Sequence, residues 1–376
     1  MKAIMMESVF FENKKYKKGE VYDLPREIYN AIYPSAKFLG FKLDTGNQYK
    51  VDCSYFDFFS YPLDGYGRLN RFAKDNITFN PNSKTILYIG TPLILGIQNN
   101  RDKCKRKVII TMFESDRLPE NWVTIINKEA SLVLVPSEFC IKVFERSGIT
   151  VPVKKLPLFF IQHDVKPEYF EGKNTDKFVF GMQNALVNGH QKGDDVLLEA
   201  YLKKFKNNKN TLLILKGRQH HYQALDHEFI AYARSFKNVR VMIEDFSDVE
   251  IYKEFYCKLD CFVFPSRGEG FGIPPLESMA LGIPTITTNG HSIKDYAKLG
   301  IPVKTKGKCD SYYVGRGADS INNKWVQINV DDLADKMYKV YKNYNHYKKQ
   351  AEKNVSEVIR LYDSSVFIKN LQKLIK

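Results

Sequence analysis

The chain has 376 residues, 44% of them hydrophobic and 27% charged, with a formal net charge of +14. That length and apolar content mark a globular protein able to build two domains, each with its own core. The longest nearly apolar run, Thr85 to Ile97, is too short and too interrupted by glycine and proline to span a bilayer, and Met1-Lys2-Ala3-Ile4 leads into charge without a signal-peptide core, so the cytoplasm is the expected location.

In chain order, residues 1 to 49 precede the first strand expected of an α/β domain and read as a small added module. Within them, Tyr16-Lys17-Lys18-Gly19-Glu20-Val21-Tyr22-Asp23-Leu24-Pro25 resembles a short β motif of phage proteins, which implies a viral gene. A first α/β domain, expected over 50 to 170, opens with a strand at Val51 to Tyr55. The glycine turn Asp64-Gly65-Tyr66-Gly67-Arg68 comes next, with a short helical segment from Leu69. Three aliphatic or β-branched runs continue the sheet: Thr85 to Ile89, Lys107 to Met112 and Ser131 to Val135. Glu114 and Asp116 leave the second of these at its carboxyl end, where open α/β sheets place ligands; capping of the next helix is the other use for them.

The polar stretch Gln162 to Lys177 reads as a link to a second α/β domain, expected over 171 to 345. There, Phe178 to Met182 is a strand, and Lys192-Gly193 precedes a helix carrying Val196, Leu197, Ala200 and Tyr201 on one side. Strands at Thr211 to Leu215 and Arg240 to Ile243 and a helix at Ile251 to Lys258 lead to the apolar run Cys261-Phe262-Val263-Phe264.

The segment that follows is Pro265-Ser266-Arg267-Gly268-Glu269-Gly270-Phe271-Gly272-Ile273-Pro274-Pro275-Leu276-Glu277. Strand, glycine turn and helix succeed one another, with the prolines in a first helical turn, where a missing N–H costs nothing. Open N–H groups at such a helix start, with the backbone of Gly270 and Gly272, suit a phosphate. Glu277, acceptor-only when ionised, can take both hydroxyls of a ribose, and Glu269 can do the same for a sugar. Further on lie a strand at Pro284 to Thr288, the turn Gly290-His291-Ser292, and a basic amphipathic tail from Leu333 to Lys376. Packing of that tail against the other domain competes with a peripheral contact on an anionic membrane surface.

The pair Glu269 and Glu277 resembles the E-x7-E signature of the family 4 retaining glycosyltransferases, and the likeness extends over roughly residues 50 to 345. The resemblance implies the GT-B fold: two Rossmann-like domains facing across a cleft, with a C-terminal helix, here 346 to 376, returning to the first. It assigns Glu269 to the donor sugar, Glu277 to the nucleotide ribose and Lys192 to the donor diphosphate, making Glu269 and Lys192 the catalytic candidates. Gly270, Phe271, Gly272, Arg267, Arg218 and His291 follow as donor contacts. Tyr66, Gly67 and Arg68 match the family's N-terminal glycine loop, with Gly67 on the donor; Tyr66, Arg68, Glu114 and Asp116 are acceptor-side candidates. The companion arginine of the family is replaced by Leu186 or Val187, leaving Arg218, Arg267, Arg68 and His190 to compensate.

Six cysteines without a C-x-x-C pair read as reduced core thiols. No aspartates are spaced as D-x-D, so neither a metal nor another cofactor is expected, only a nucleotide-diphosphate sugar as donor. The positive charge comes from 44 Lys against 13 Arg. Lysine is the weaker residue for bidentate recognition, although its field attracts nucleotide sugars, lipids and nucleic acids alike. A glycan or lipid acceptor is the expectation, with no stable protein partner. The alternatives are a hydroxylated base in DNA, a non-catalytic sugar-nucleotide or nucleic-acid binding protein, and a phosphorylase or epimerase on the same fold.

Overall fold

The computed structural model describes the chain apart from residues 1, 6–8, 12–13, 17–20, 24–35, 39–48, 57–64, 97–105, 161–168, 171–174, 185, 187–189, 220–224, 248–249 and 312–322, with backbone alone for the strands before residue 49. Most of the phage-like motif, most of the expected linker and Val187 lie outside the described residues. The chain divides into two compact units, one of residues 1–50 and 59–78, the other of 51–58 and 79–376. The first contains a three-stranded antiparallel sheet in the order Val21–Asp23, Lys2–Met5, Ala36–Phe38, a two-stranded pair Val9–Phe11 with Lys14–Tyr16, and the helix Gly65–Asn76.

The second unit holds two parallel sheets. Its first lobe orders five strands as Val153–Lys155, Leu132–Val135, Arg106–Ile110, Thr85–Ile89, Ser54–Tyr55. Leu132–Val135 is apolar at every position because helices cover both faces of a parallel sheet. Ile109, Val133, Phe144, Trp122 and Ile126 meet in the lobe's core. Its second lobe orders six as Val239–Ile243, Thr211–Gly217, Phe178–Gln183, Cys261–Phe264, Thr285–Thr288, Ile301–Val303, all parallel. Beyond it, Thr305–Asp310 and Lys324–Ile328 form an antiparallel pair.

Three local expectations are corrected. The strand expected over Val51 to Tyr55 is split by a bend at Asp52 and Cys53, where Cys53 N–H turns back to Val51 O at 2.9 Å; only Ser54–Tyr55 joins the parallel sheet. The glycine turn at 65 to 68 is instead the opening of a twelve-residue helix, Gly65–Asn76, since the spacing of Leu69, Phe72 and Ala73 supports a helix that extends back through both glycines. The helix expected over Ile251 to Lys258 is a short α-helix, Glu250–Glu254, followed by a 3-10 turn, Tyr256–Lys258.

The tail forms three helices, Val330–Lys342, Tyr344–Tyr362 and Ser364–Ile375. The middle one lies on the second lobe, where Lys348 Nζ donates to Gly282 O at 2.8 Å and Asn354 to Leu299 O at 2.9 Å. The last returns to the first lobe: Phe367 packs on Phe159 with ring centroids 4.8 Å apart, and the Arg106 guanidinium donates to the Ile375 carbonyl. Phe367, Ile368, Leu371 and Ile375 are buried there, each contributing roughly 1.5–3 kcal/mol of burial.

Candidate active site at the sheet switch point

In the six-stranded sheet the chain leaves Phe178–Gln183, adds two strands on one side, then returns to Cys261–Phe264 on the other. The carboxyl ends of these two neighbouring strands form the switch point at which open α/β sheets bind ligands. One loop from it reaches Lys192, Gly193 and the helix Asp194–Phe205; the other is the glycine turn before the helix Ile273–Ala280.

The two loops are laced together. Gln191 O accepts from Arg267 N–H at 2.8 Å and from Ser266 Oγ at 3.2 Å, while Gln191 Nε2 donates to Gly268 O at 2.8 Å. Gly193 makes the approach sterically feasible: its φ is +75°, and a β-carbon there would stand 2.1 Å from Pro265 O. Arg267 adds a two-pronged ion pair to Asp195, at 2.6 and 2.7 Å, and a third bond to His190 O at 2.6 Å. This guanidinium, expected on the donor, is held by protein on three sides.

Lys192 Nζ donates to Glu269 Oε1 at 2.6 Å, and Ser266 Oγ donates to the same oxygen at 2.9 Å. Glu269 is 6% exposed. Burial pushes its carboxyl above the usual range; Lys192 pulls the other way, and the negative charge of Glu114 adds to the rise. Glu277, 2% exposed, accepts from Tyr256 Oη at 2.9 Å. Tyr256 is itself wedged against Phe262 of the signature strand, with centroids 5.5 Å apart.

The helix Ile273–Ala280 starts from Gly272 at φ +88°, with prolines in its first turn. The N–H groups of Gly270, Phe271 and Gly272 enter no hydrogen bond among the described residues. The glycines also serve a need that the sequence reading did not include. A β-carbon on Gly270 would meet Met112 Cγ at 2.6 Å, one on Gly268 would meet Glu114 O at 2.6 Å, and one on Gly272 would meet Tyr296 Oη at 2.7 Å. The turn is bare because the first lobe and Tyr296 press against it.

The lobes touch on both sides of the turn. Ser137 Oγ and Ser292 Oγ are 2.8 Å apart, and Glu138 N–H donates to Asp295 at 3.1 Å. Opposite, Asp116 accepts from Lys308 Nζ at 3.0 Å and from Lys324 N–H at 2.7 Å, both on the antiparallel pair. Burial alone would raise the Asp116 carboxyl, but these two donors hold it below the usual range. On the same strand Trp325 packs over Gly268, and Val326 N–H donates to Arg267 O at 3.0 Å.

His190, at φ +48°, sets Nδ1 3.2 Å from Asp194 and Nε2 3.4 Å from Asp226, and the bond to Asp194 raises its pKa above the ordinary value. His190, Asp194 and Asp195 bring one ligand atom each within 4.8 Å of the others, the candidate metal group among the described residues. Both Asp195 oxygens are already taken by Arg267.

Of the residues singled out from sequence, the structure groups Lys192, Glu269, Arg267 and, through Ser266, His291, whose Nε2 is 2.9 Å from Ser266 O. Arg218 follows the strand Thr211–Gly217 and is half-buried. Tyr66, Gly67 and Arg68 belong to the helix of the other compact unit. Leu186, at the position of the missing arginine, is buried at φ +51° and lies beside Gly217. Sequence reading missed Gln191, Ser266, Asp195, Tyr256 and Trp325. Of these, Ser266 sits inside the quoted motif and Asp195 in the acidic first turn after Lys192-Gly193, the two local signals available. Cys53, Cys140, Cys257, Cys261 and Cys309 are free thiols. No helix among the described residues is long and apolar enough to cross a membrane.

A sequence model of the family described as glycosyl transferases group 1 matches residues 168–357. The chain is similar to uncharacterized protein 356 of Sulfolobus islandicus rod-shaped virus 1, at 22% identity over 289 residues, 71% of this chain and 75% of that one. It is also similar to the capsular polysaccharide biosynthesis glycosyltransferase CapM of Staphylococcus aureus, at 29% over 131 residues, 35% of this chain and 33% of CapM. Among solved structures, HepE of Anabaena, crystallised with UDP-glucose, superposes with a TM-score of 0.60 at 14% identity, over 84% of this chain and 90% of that one.

Proposed function

The chain belongs to the glycosyl transferases group 1 family and has the GT-B fold, and from that premise we propose that it is a retaining glycosyltransferase using a nucleotide-diphosphate sugar. The observation that carries the reading is the junction of Lys192 and Glu269 at the head of the glycine turn, beside amides that no described residue engages. A donor diphosphate on those amides and on the helix start draws Lys192 from Glu269, and the lysine then offsets charge building on the departing nucleotide. Glu269 is thereby released to take sugar hydroxyls, and Glu277, steadied by Tyr256, takes the ribose.

Retention by same-face attack assisted by the leaving phosphate is assigned as the resemblance to the family 4 retaining glycosyltransferases implies. Transfer is assigned without a divalent metal, because no D-x-D pair is present to clamp a metal diphosphate. A glycan or lipid hydroxyl is the favoured acceptor, since CapM is named for capsular polysaccharide biosynthesis. The cytoplasm is the proposed site of action, within a host cell if the gene is viral, as the likeness to a viral protein suggests.

The test is a nucleotide-sugar panel with two variants. Glu277→Ala removes nucleotide affinity, and Lys192→Ala chiefly lowers turnover; unchanged donor binding and rate in both refute the assignment. A salt series of duplex-DNA binding separates the acceptors, because a DNA enzyme shows a steep slope from its phosphate contacts.

A further inference from the structure

Tyr296 joins the two 3-10 turns His291–Asp295 and Ala297–Leu299 and is buried against the glycine turn. Its backbone is fixed on both sides, with Tyr296 N–H donating to Ile293 O at 3.0 Å and Tyr296 O accepting from Leu299 N–H at 2.9 Å. Its ring meets those of Phe271 and Tyr362 in a three-way cluster, with centroids 5.7 to 6.0 Å apart. Phe271, expected on the donor, turns its side chain into this cluster and is buried there.

The hydroxyl at the tip of that ring donates to two successive carbonyls, Phe271 O at 3.1 Å and Gly272 O at 2.5 Å. A phenol has one proton, so both carbonyls are drawn to a single point. No peptide here is cis, and in a planar trans peptide the N–H points opposite to the C=O. The carbonyl of Phe271 shares its plane with Gly272 N–H, and the carbonyl of Gly272 with Ile273 N–H. Anchoring the two carbonyls therefore turns both N–H groups away from Tyr296, and neither has a hydrogen-bond partner among the described residues.

The donor at Ile273 counts because Pro274 and Pro275 bring no N–H to the helix start, so it is the one amide donor in the first three helical positions. A bond accepted at a carbonyl also polarises its peptide and strengthens the N–H on the far side. Burial, aided by the charge of Glu269, pushes the Tyr296 phenol well above its ordinary range, so it stays a donor.

We propose that Tyr296 is a positioning residue for donor binding: by holding the carbonyls of Phe271 and Gly272, it aims the N–H groups of Gly272 and Ile273 at the donor diphosphate. It acts through the backbone and not by contact, and the inference rests on the reading of this crevice as a sugar-nucleotide site.

Tyr296→Phe keeps the ring and deletes the hydroxyl. Tyr201→Phe is the control, because its buried hydroxyl bonds to Thr211 Oγ1 at 3.0 Å and Asn238 O at 3.2 Å at the amino end of the same sheet, away from the crevice. Dissociation constants for UDP, GDP, ADP and dTDP are measured by calorimetry on the full chain, those of the corresponding nucleosides by competition, and the stability of both variants by urea unfolding. For a diphosphate that the native chain binds, Tyr296→Phe is expected to raise the constant about tenfold and to leave its nucleoside unchanged, while Tyr201→Phe leaves both at native values. An unchanged diphosphate constant in Tyr296→Phe, or an equal loss for nucleoside and diphosphate, makes the phenol a packing group and overturns the proposal. So does a selective diphosphate loss of the same size in Tyr201→Phe. If the native chain binds none of the four diphosphates, the reading of the crevice itself falls, and this inference with it.

Discussion

Gly193→Ala isolates the contact that joins the two loops of the crevice. Alanine at φ +75° costs about 1–2 kcal/mol in backbone strain alone. Its β-carbon would lie 2.1 Å from Pro265 O, a backbone atom with no rotamer by which to retreat, so the loops must part by roughly 1 Å. Parting weakens the bonds that bind them, Arg267 N–H to Gln191 O at 2.8 Å, Gln191 Nε2 to Gly268 O at 2.8 Å and Ser266 Oγ to Gln191 O at 3.2 Å. At about 1 kcal/mol for each, the variant loses roughly 4–5 kcal/mol locally. Gly307→Ala is the control, since Gly307 has φ +81° with nothing within 4 Å of a β-carbon, so it carries strain without collision. Urea unfolding followed by circular dichroism gives both costs. Displacing Lys192 from Glu269 by such a distance is expected to reduce kcat/KM about a hundredfold in Gly193→Ala. Equal destabilisation of the two variants, to within about 0.5 kcal/mol, with native kcat/KM in Gly193→Ala, would show that the close approach has no energetic role.

Three other outcomes are expected. Arg267→Met removes three bonds and strands Asp195, costing about 2–3 kcal/mol in urea unfolding; adding Asp195→Leu should recover part of it, and strict additivity would deny the coupling. Glu269 must be ionised to accept from a sugar, and because burial raises its pKa, kcat/KM should fall with decreasing pH at a value above the ordinary glutamate range; Glu269→Gln should lose that limb. The same rise makes Glu269 cost stability as pH climbs from its unfolded to its folded pKa. For His190 the raised pKa acts oppositely: its pairing with Asp194 and Asp226 is fully stabilising below the unfolded value of about 6.5 and fades as pH passes the higher folded one. The Tm gap between the native chain and His190→Asn should therefore narrow between pH 6 and pH 9, and a constant gap would contradict it.

The signature was readable because its determinants are adjacent in the chain. Cys261–Phe264 is a strand with the same limits as the apolar run, and Pro274 and Pro275 fall in the first turn of the helix they suggested. What escaped depends on partners far along the chain: Asp195 lies 72 residues before Arg267, and Asp116 lies 208 residues before the Lys324 N–H it receives. Glycine was the ambiguous letter. Gly65 and Gly67 suggested a turn and are helical, whereas Gly268 and Gly270, read as room for a ligand, also make room for the opposite lobe. Nothing local in the sequence separates these uses, because the first-lobe atoms that a side chain would meet, from Met112 and Glu114, come from residues more than a hundred positions away.

The return of Ser364–Ile375 to the first lobe carries a consequence for biogenesis. The half of this unit that leaves the ribosome earlier completes its hydrophobic interior later, because Phe159 must wait for Phe367. Until then its apolar flank is open to chaperones and to self-association, and the six-stranded half is synthesised in full before that flank is sealed.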